Sequence, residues 1–109
     1  MTEKEFEKEV EKGIVLVDFF ATWCAPCRMM SAVLEQTKDS LGDVKLVKVD
    51  VDESEEVAQK FGIMSIPTLV VLKDGKLVDK HIGLLNEGQL KKFVDIKWKN
   101  GDTVFFIKI

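Results

Sequence analysis

The sequence contains few cysteines, prolines and histidines, and its longest apolar runs are short. Its 109 residues include two cysteines, two prolines, one histidine and no tyrosine. Two cysteines cannot form the disulfide framework on which small secreted domains depend. The strongly apolar run near the start, Ile14 to Phe20, has seven residues and already contains Asp18, so it is too short to cross a bilayer. We therefore expect neither a disulfide-rich scaffold nor a membrane protein.

Positive charge is not in excess. Lys and Arg number 16 against 19 Asp and Glu, a net charge of −3, which argues against a nucleic-acid binder. Residues 1–12 are charged and helix-like rather than an apolar signal peptide, so we expect a cytoplasmic protein. The length predicts one domain, and 46% hydrophobic residues are enough for a folded core. No repeats, low-complexity runs or linkers interrupt the chain.

The hydrophobic pattern predicts alternating helices and strands, in the order α-β-α-β-α-β-β-α. Strand–helix–strand units favour a parallel sheet, and Asp74-Gly75 predicts a hairpin that adds an antiparallel edge. The predicted helices cover residues 2–12, from about 28 to a stop at Gly42, 54–61, and a last helix capped by Asn86; the predicted strands cover 14–20, 44–51, 68–72 and 77–82.

The C-terminal end has two interpretations. Trp98 follows Val94 by four residues, so the last helix could run to about Lys99 and end at Asn100-Gly101. Alternatively, Ile96 and Trp98 alternate with lysines, and Asn-Gly forms a hairpin turn. Under both interpretations residues 104–109 form a strand, which must be paired because an exposed strand of this composition would aggregate.

The two cysteines form a Cys-Ala-Pro-Cys motif where the first strand meets a helix. The helix N-terminus has unpaired N–H groups and partial positive charge, which favour a thiolate at Cys24. Cys27 lies one turn further along, where it could attack a mixed disulfide at Cys24. Pro26 fits the first turn because its missing N–H would have no helical partner. The alternatives are half of a metal site, for which this chain has no second cysteine pair and only His81, or two inert buried cysteines.

Two charged residues interrupt apolar strands. Asp18 shares one face of the first strand with Ile14, Leu16 and Phe20, so we expect burial to raise the pKa of its carboxyl. It could accept the proton of the resolving thiol. Lys48 lies in the next strand, within reach of Asp18. The alternative is that both lie at strand ends, with the lysine extending to water.

The residues around these features resemble the thioredoxin family over about residues 2–98. The segment from Val17 to Cys27 is similar to the family's active-site segment, and residues 62–68, Gly-Ile-Met-Ser-Ile-Pro-Thr, resemble its cis-proline loop. The resemblance implies an α/β thioredoxin fold, a central mixed sheet with helices on both faces. The family's first strand is missing here, and residues 100–109 extend a domain of residues 1–99. We expect this extension to fill the vacant sheet edge; pairing on the 77–82 edge, exchange between two chains or an appended non-native sequence are the alternatives.

The resemblance also implies roles for individual residues. Cys24 would attack, Cys27 would resolve, and Asp18 and Lys48 would correspond to the family's buried aspartate and its lysine neighbour. Substrate-contacting positions would be Trp23, Ala25, Pro26, Ile66, Pro67 and Gly83. No metal or bound cofactor is implied. Electrons would come from NADPH through a separate thioredoxin reductase, and the other partners would be proteins that contain disulfides.

The sequence departs from the family at several positions. Ala25 stands where glycine is commonest, Phe20 replaces a frequent tryptophan, and Ala32 replaces a helix-kinking proline, so we expect a straighter helix. Met64 stands where arginine is common and makes the rim near Pro67 more apolar. The sequence therefore predicts a general protein-disulfide reductase. A reductant dedicated to one partner and a non-catalytic binding subunit are the alternatives.

Overall fold

The computed structural model describes residues 1–99, and the side-chain environments of residues 1–94. The secondary-structure elements are α1 (Glu3–Val10), β1 (Ile14–Phe20), α2 (Ala25–Thr37), β2 (Lys45–Asp50), α3 (Glu55–Lys60), β3 (Thr68–Lys73), β4 (Lys76–Ile82) and α4 (Glu87–Lys99), with a short 3-10 turn at Lys38–Ser40. Their order agrees with the order that the sequence predicts.

Local signals determine where the helices begin. Thr2 and Glu5 form a reciprocal capping box at the start of α1. Asn86 and Gln89 exchange the same pair of hydrogen bonds, of 2.8 and 2.9 Å, before α4. These bonds satisfy backbone N–H groups that the first helical turn leaves without partners.

The strands form one mixed sheet in the order β2-β1-β3-β4. β1 and β2 are parallel, whereas β3 is antiparallel to both β1 and β4. The expectation that strand–helix–strand units form a parallel sheet is therefore confirmed for β1 and β2 but wrong for β3. A six-residue helix spans only about 9 Å, so α3 does not return the chain along a strand about 20 Å long. β3 begins instead at the end of the sheet where β1 and β2 finish.

Both faces of β1 are buried, and each is covered by two helices. Ile14 and Leu16 pack with Met30 and Leu34 of α2 and with Leu90 and Val94 of α4. On the other face, Val15, Val17 and Phe19 pack with Phe6 and Val10 of α1 and with Val57 of α3. The alternation of side chains along a strand produces this division. β1 is thus the centre of the hydrophobic core, and any polar group on it is removed from water.

Several boundaries differ from the sequence prediction. α1 ends at Val10 rather than Lys12, with Glu11 as its C-cap. α2 begins at Ala25, three residues before the predicted change of period, and ends at Thr37; the 3-10 turn then leads to Gly42, whose φ is 72°. α4 extends to Lys99, as the helical interpretation predicted, so the hairpin interpretation of residues 96–98 is wrong.

The sheet has four strands within residues 1–99, and none precedes α1. The expectations for residues 100–109, including the added strand, lie outside the described residues. Residues 1–99 also contain no helix with the length and hydrophobicity that a bilayer crossing requires.

Candidate active site

Four segments meet at one end of the sheet. Phe20 at the end of β1 pairs with Asp50 at the end of β2. Thr68 at the start of β3 pairs with Phe19 on one side and with Ile82, the last residue of β4, on the other. The loops that follow β1 and β4 and precede β3 therefore emerge together. These loops and the first turn of α2 contain the predicted residues Trp23–Cys27, Ile66, Pro67 and Gly83.

The two cysteines are joined by a disulfide at the start of α2, with their Cα atoms 5.2 Å apart. Cys24 is the N-cap residue, and its Sγ accepts a hydrogen bond of 3.2 Å from the backbone N–H of Cys27. Their exposed fractions are 5% for Cys24 and 2% for Cys27. After reduction, the same N–H and the positive end of the helix dipole would stabilise a thiolate on Cys24.

The loop before β3 packs against this disulfide. The carbonyl oxygen of Ile66 lies 4.0 Å from Cys24 Sγ, and Ile66 is partly buried against the cysteine pair. The Ile66–Pro67 peptide bond is cis, as the resemblance implied. The N–H of Gly83 donates a 2.9 Å hydrogen bond to the Pro67 carbonyl oxygen, which ties the end of β4 to this loop. Gly83 has φ of 101°, a conformation that favours glycine.

The Asp18 carboxyl is fully buried, with an exposed fraction of 0%. Neither of its oxygens has a hydrogen-bond partner among the residues that the structure describes. Burial raises the pKa of this carboxyl to about 6, and the positive charge of Lys48 lowers it by a smaller amount. Asp18 therefore titrates near neutral pH, unlike an ordinary aspartate. A strand-end position is excluded for both residues, because Asp18 pairs with Lys48 on one side and with Leu69 on the other. The Lys48 side chain is exposed, as the alternative interpretation expected.

Lys48 lies opposite Asp18 in the sheet, yet the two side chains form no ion pair. The Lys48 ammonium donates a 2.6 Å hydrogen bond to the Ser31 hydroxyl of α2 and lies 5.0 Å from the centre of the Phe20 ring. It borders a cleft of about 200 Å³ that reaches Cys27. The cleft is lined mainly by Phe20, Thr22, Cys27, Arg28, Ser31 and Lys48.

The rim of the site is exposed and largely apolar. Trp23 is 69% exposed, and its indole N–H donates a 2.8 Å hydrogen bond to the Asp52 carboxylate. Ala25 and Pro26 are exposed beside the disulfide. Met64, two residues before Ile66, is 95% exposed. These side chains are accessible to another protein.

The described part of the chain contains no group of three or more His, Cys, Asp or Glu side chains that could hold a metal ion. The cysteine sulfurs are instead bonded to each other.

Sequence reasoning missed the contacts made by Ser31 and Asp52. Ser31 follows Cys27 by four residues in α2, a spacing that places both on one helix face and could have identified it. Nothing in the sequence pattern pairs Asp52 with Trp23, because a loop after β2 brings them together.

A disulfide between cysteines one turn apart at a helix N-terminus, near a buried carboxyl and the loop before β3, is typical of a thiol–disulfide oxidoreductase of α/β fold. The thioredoxin family profile matches residues 1–96, so the chain belongs to the thioredoxin family.

Its relatives support the same assignment. It is 47% identical over 95 residues to the thioredoxin of Bacillus subtilis, covering 86% of this chain and 91% of the relative. It is 46% identical over 96 residues to that of Listeria monocytogenes, covering 87% and 93%. Among solved structures, Plasmodium falciparum thioredoxin superposes with a TM-score of 0.80 at 36% identity, covering 87% of this chain and 93% of the other. Oxidised mitochondrial thioredoxin 3 of Saccharomyces cerevisiae gives 0.80 at 38%, covering 87% and 90%.

The chain is accordingly a protein thiol–disulfide oxidoreductase with a redox-active cysteine pair, and members of its family act without a bound cofactor.

Proposed function

We propose that the protein reduces disulfides in other proteins, with Cys24 as the nucleophile and Cys27 as the resolving thiol. The observation that carries this assignment is the hydrogen bond from the Cys27 N–H to Cys24 Sγ at the N-cap of α2. After reduction, this N–H would donate to the Cys24 thiolate and stabilise it.

The reaction has two exchange steps. The Cys24 thiolate attacks one sulfur of a substrate disulfide; that S–S bond breaks, and a substrate thiolate leaves. Cys27 then loses its proton to Asp18 and attacks Cys24 Sγ, so the mixed disulfide breaks and the second substrate thiolate leaves. The substrate gains two electrons, and the protein loses two and holds the Cys24–Cys27 disulfide. Both substrate thiolates are protonated by water.

Asp18 suits the role of proton acceptor for two reasons. It lies on the face of β1 that α2 covers, and α2 carries Cys27. Its pKa of about 6 allows it to take up and release a proton near neutral pH. Lys48 remains a proposed member of the same site, in which its charge affects the carboxyl.

Substrate proteins would bind as an extended segment along the loop before β3. The backbone of Ile66 would pair with this segment, a short form of β-strand addition. Trp23, Ala25, Pro26, Pro67 and Gly83 would surround the substrate disulfide. The exposure of Trp23, Ala25 and Pro26 and the 4.0 Å between the Ile66 oxygen and Cys24 Sγ support this position.

NADPH would supply the electrons through a separate thioredoxin reductase, and the protein would act in the cytoplasm, where thiols are kept reduced. The test is NADPH oxidation coupled through a bacterial thioredoxin reductase to reduction of a protein disulfide. Turnover that is lost in Cys24→Ser would support the proposal. If the reductase reduces the Cys24–Cys27 bridge but generic protein disulfides are not turned over, general reduction is contradicted and a dedicated partner is favoured.

A further inference from the structure

Lys48 faces Asp18 in the sheet, but its ammonium contacts other residues. Neighbouring strands lie about 4.8 Å apart, and the Cα of Lys48 is opposite that of Asp18. A lysine side chain is long enough to bring its ammonium to a carboxyl at that position. Within the described part of the chain, Asp18 nevertheless has no hydrogen-bond partner, and the exposed Lys48 ammonium contacts Ser31 and Phe20 instead.

We propose that Ser31 is a positioning residue that holds the Lys48 ammonium at the mouth of the cleft and leaves the buried Asp18 carboxyl without an ion-pair partner. The inference rests on the proposed function only for its effect on catalysis. Ser31 lies one helical turn after Cys27, and its hydroxyl oxygen accepts a 2.6 Å hydrogen bond from the Lys48 ammonium. The Phe20 ring contributes a second, weaker attraction through its face.

The surroundings of Asp18 make Lys48 the charge that matters most. From β2 the charged groups on this face are Lys48 and Asp50, and the Asp50 carboxylate accepts hydrogen bonds from the backbone N–H groups that follow it. From α2 the groups beside the cleft are Cys27 and Arg28. Arg28 donates to the Thr22 carbonyl oxygen at 3.2 Å. The described residues of β3 and α4 that pack here, including Leu69, Leu90 and Val94, are apolar. Arg28 is held at Thr22, and Lys48 is the charge that acts on the Asp18 carboxyl, so a change in the position of Lys48 should affect Asp18 directly.

Electrostatics gives the direction of the effect. An ammonium that moves toward a carboxyl favours its ionised form and lowers its pKa. While Lys48 stays on Ser31, Asp18 keeps its proton to higher pH. Ser31 thereby sets the pH range in which the carboxyl can accept the proton of Cys27.

The test is a carboxyl NMR titration of Asp18 in the oxidised protein, where the disulfide sulfurs do not titrate. Ser31→Ala removes the acceptor and favours the helix, since alanine has the highest helix propensity. We expect the Asp18 midpoint to move to lower pH by about 1 unit. Ser31→Thr retains a hydroxyl and should restore most of the original midpoint.

Lys48→Ala tests whether Ser31 acts on Asp18 through Lys48. In Lys48→Ala the midpoint should rise, and adding Ser31→Ala should then change nothing. An unchanged or raised Asp18 midpoint in Ser31→Ala would overturn the proposal. The proposal would also fail if Ser31→Ala lowered the Asp18 midpoint equally in the Lys48→Ala protein.

A kinetic measurement separates this inference from the proposed function. In the reduced protein, the pH profile for resolution of a mixed disulfide should move to lower pH in Ser31→Ala, in step with the titration. If Asp18→Asn does not slow resolution, the base role of Asp18 fails, while the titration still decides whether Ser31 positions Lys48.

Discussion

The carbonyl oxygen of Ile66 lies 4.0 Å from Cys24 Sγ, although 42 residues separate the two in the chain. The antiparallel direction of β3 produces this proximity. Because β3 runs opposite to β1, its first residue lies at the end of the sheet where β1 leads into α2. A polypeptide that pairs with the backbone of Ile66 would thus pass beside the attacking sulfur. Side chains near Ile66 should then affect which disulfides react.

Substitution of Met64 tests that consequence. Met64→Arg should leave the free energy of unfolding unchanged, because this side chain is 95% exposed. It should lower KM for a peptide disulfide with acidic flanking residues and raise KM for a basic one, each by up to about 5-fold, the range of an exposed ion pair. Steady-state kinetics with the two peptides provides the measurement.

The matched control is Leu77→Arg. Leu77 is 51% exposed and lies near the start of β4, at the end of the sheet opposite the cysteines. It should leave both KM values unchanged. An equal response to Met64→Arg and Leu77→Arg would contradict substrate binding beside Met64 and indicate a general effect of net charge.

Gly83→Ala should destabilise the protein. A side chain at φ of 101° is strained, at a cost of about 1–2 kcal/mol. Its Cβ would meet no atom of the described residues within 4 Å, so the loss reflects backbone conformation rather than a clash. Urea unfolding should give a lower midpoint with the same m value.

Gly88→Ala is the corresponding control in α4. A Cβ there would lie 3.6 Å from Asn86 Oδ1, an ordinary contact, and the helical backbone accepts alanine. This variant should gain about 0.5 kcal/mol. Equal destabilisation by both substitutions would contradict the role assigned to the conformation of Gly83.

The sheet and its faces could largely be predicted from the sequence, because each buried strand is short and apolar and each helix carries its own cap or stop. The burial of Asp18 was predictable for the same reason: it alternates with Ile14 and Leu16 on a strand with two covered faces. The direction of β3 could not be predicted. The pattern of residues 51–67 indicates a helix and a loop, but it does not show at which end of the sheet the next strand begins.

The side-chain contacts of the site could not be predicted from the sequence pattern. Lys48 could extend to Asp18, to water or to a neighbour on α2, and in the structure its ammonium donates to the Ser31 hydroxyl. The hydrogen bond from Trp23 to Asp52 likewise requires two loops to meet.

The stability of the oxidised protein should fall as pH rises from 4 to 8, because of Asp18. Its folded pKa of about 6 exceeds the ordinary value of 3.8, so between these values the folded state binds a proton that the unfolded state does not. The contribution is fully present below pH 3.8 and is lost as pH rises through 6. A difference of about 2 in pKa corresponds to about 3 kcal/mol.

Asp18→Asn should abolish this part of the pH dependence. We expect the free energy of unfolding of Asp18→Asn, minus that of the original protein, to increase by about 3 kcal/mol between pH 4 and 8, because only the original protein loses the contribution of the carboxyl. Asp43→Asn removes an exposed negative charge and controls for net charge. Parallel pH profiles for the original protein and Asp18→Asn would show that the carboxyl is not desolvated as described.

The assignment of attack to Cys24 and resolution to Cys27 is tested most directly by trapping the mixed disulfide. Reduced Cys27→Ser should accumulate a covalent adduct with a peptide disulfide, joined through Cys24, which intact-mass and peptide mapping would locate. Reduced Cys24→Ser should form little adduct at the same pH, because Cys27 is 2% exposed and lacks the N-cap position. A stable adduct on Cys27 in Cys24→Ser, with none on Cys24 in Cys27→Ser, would contradict the account.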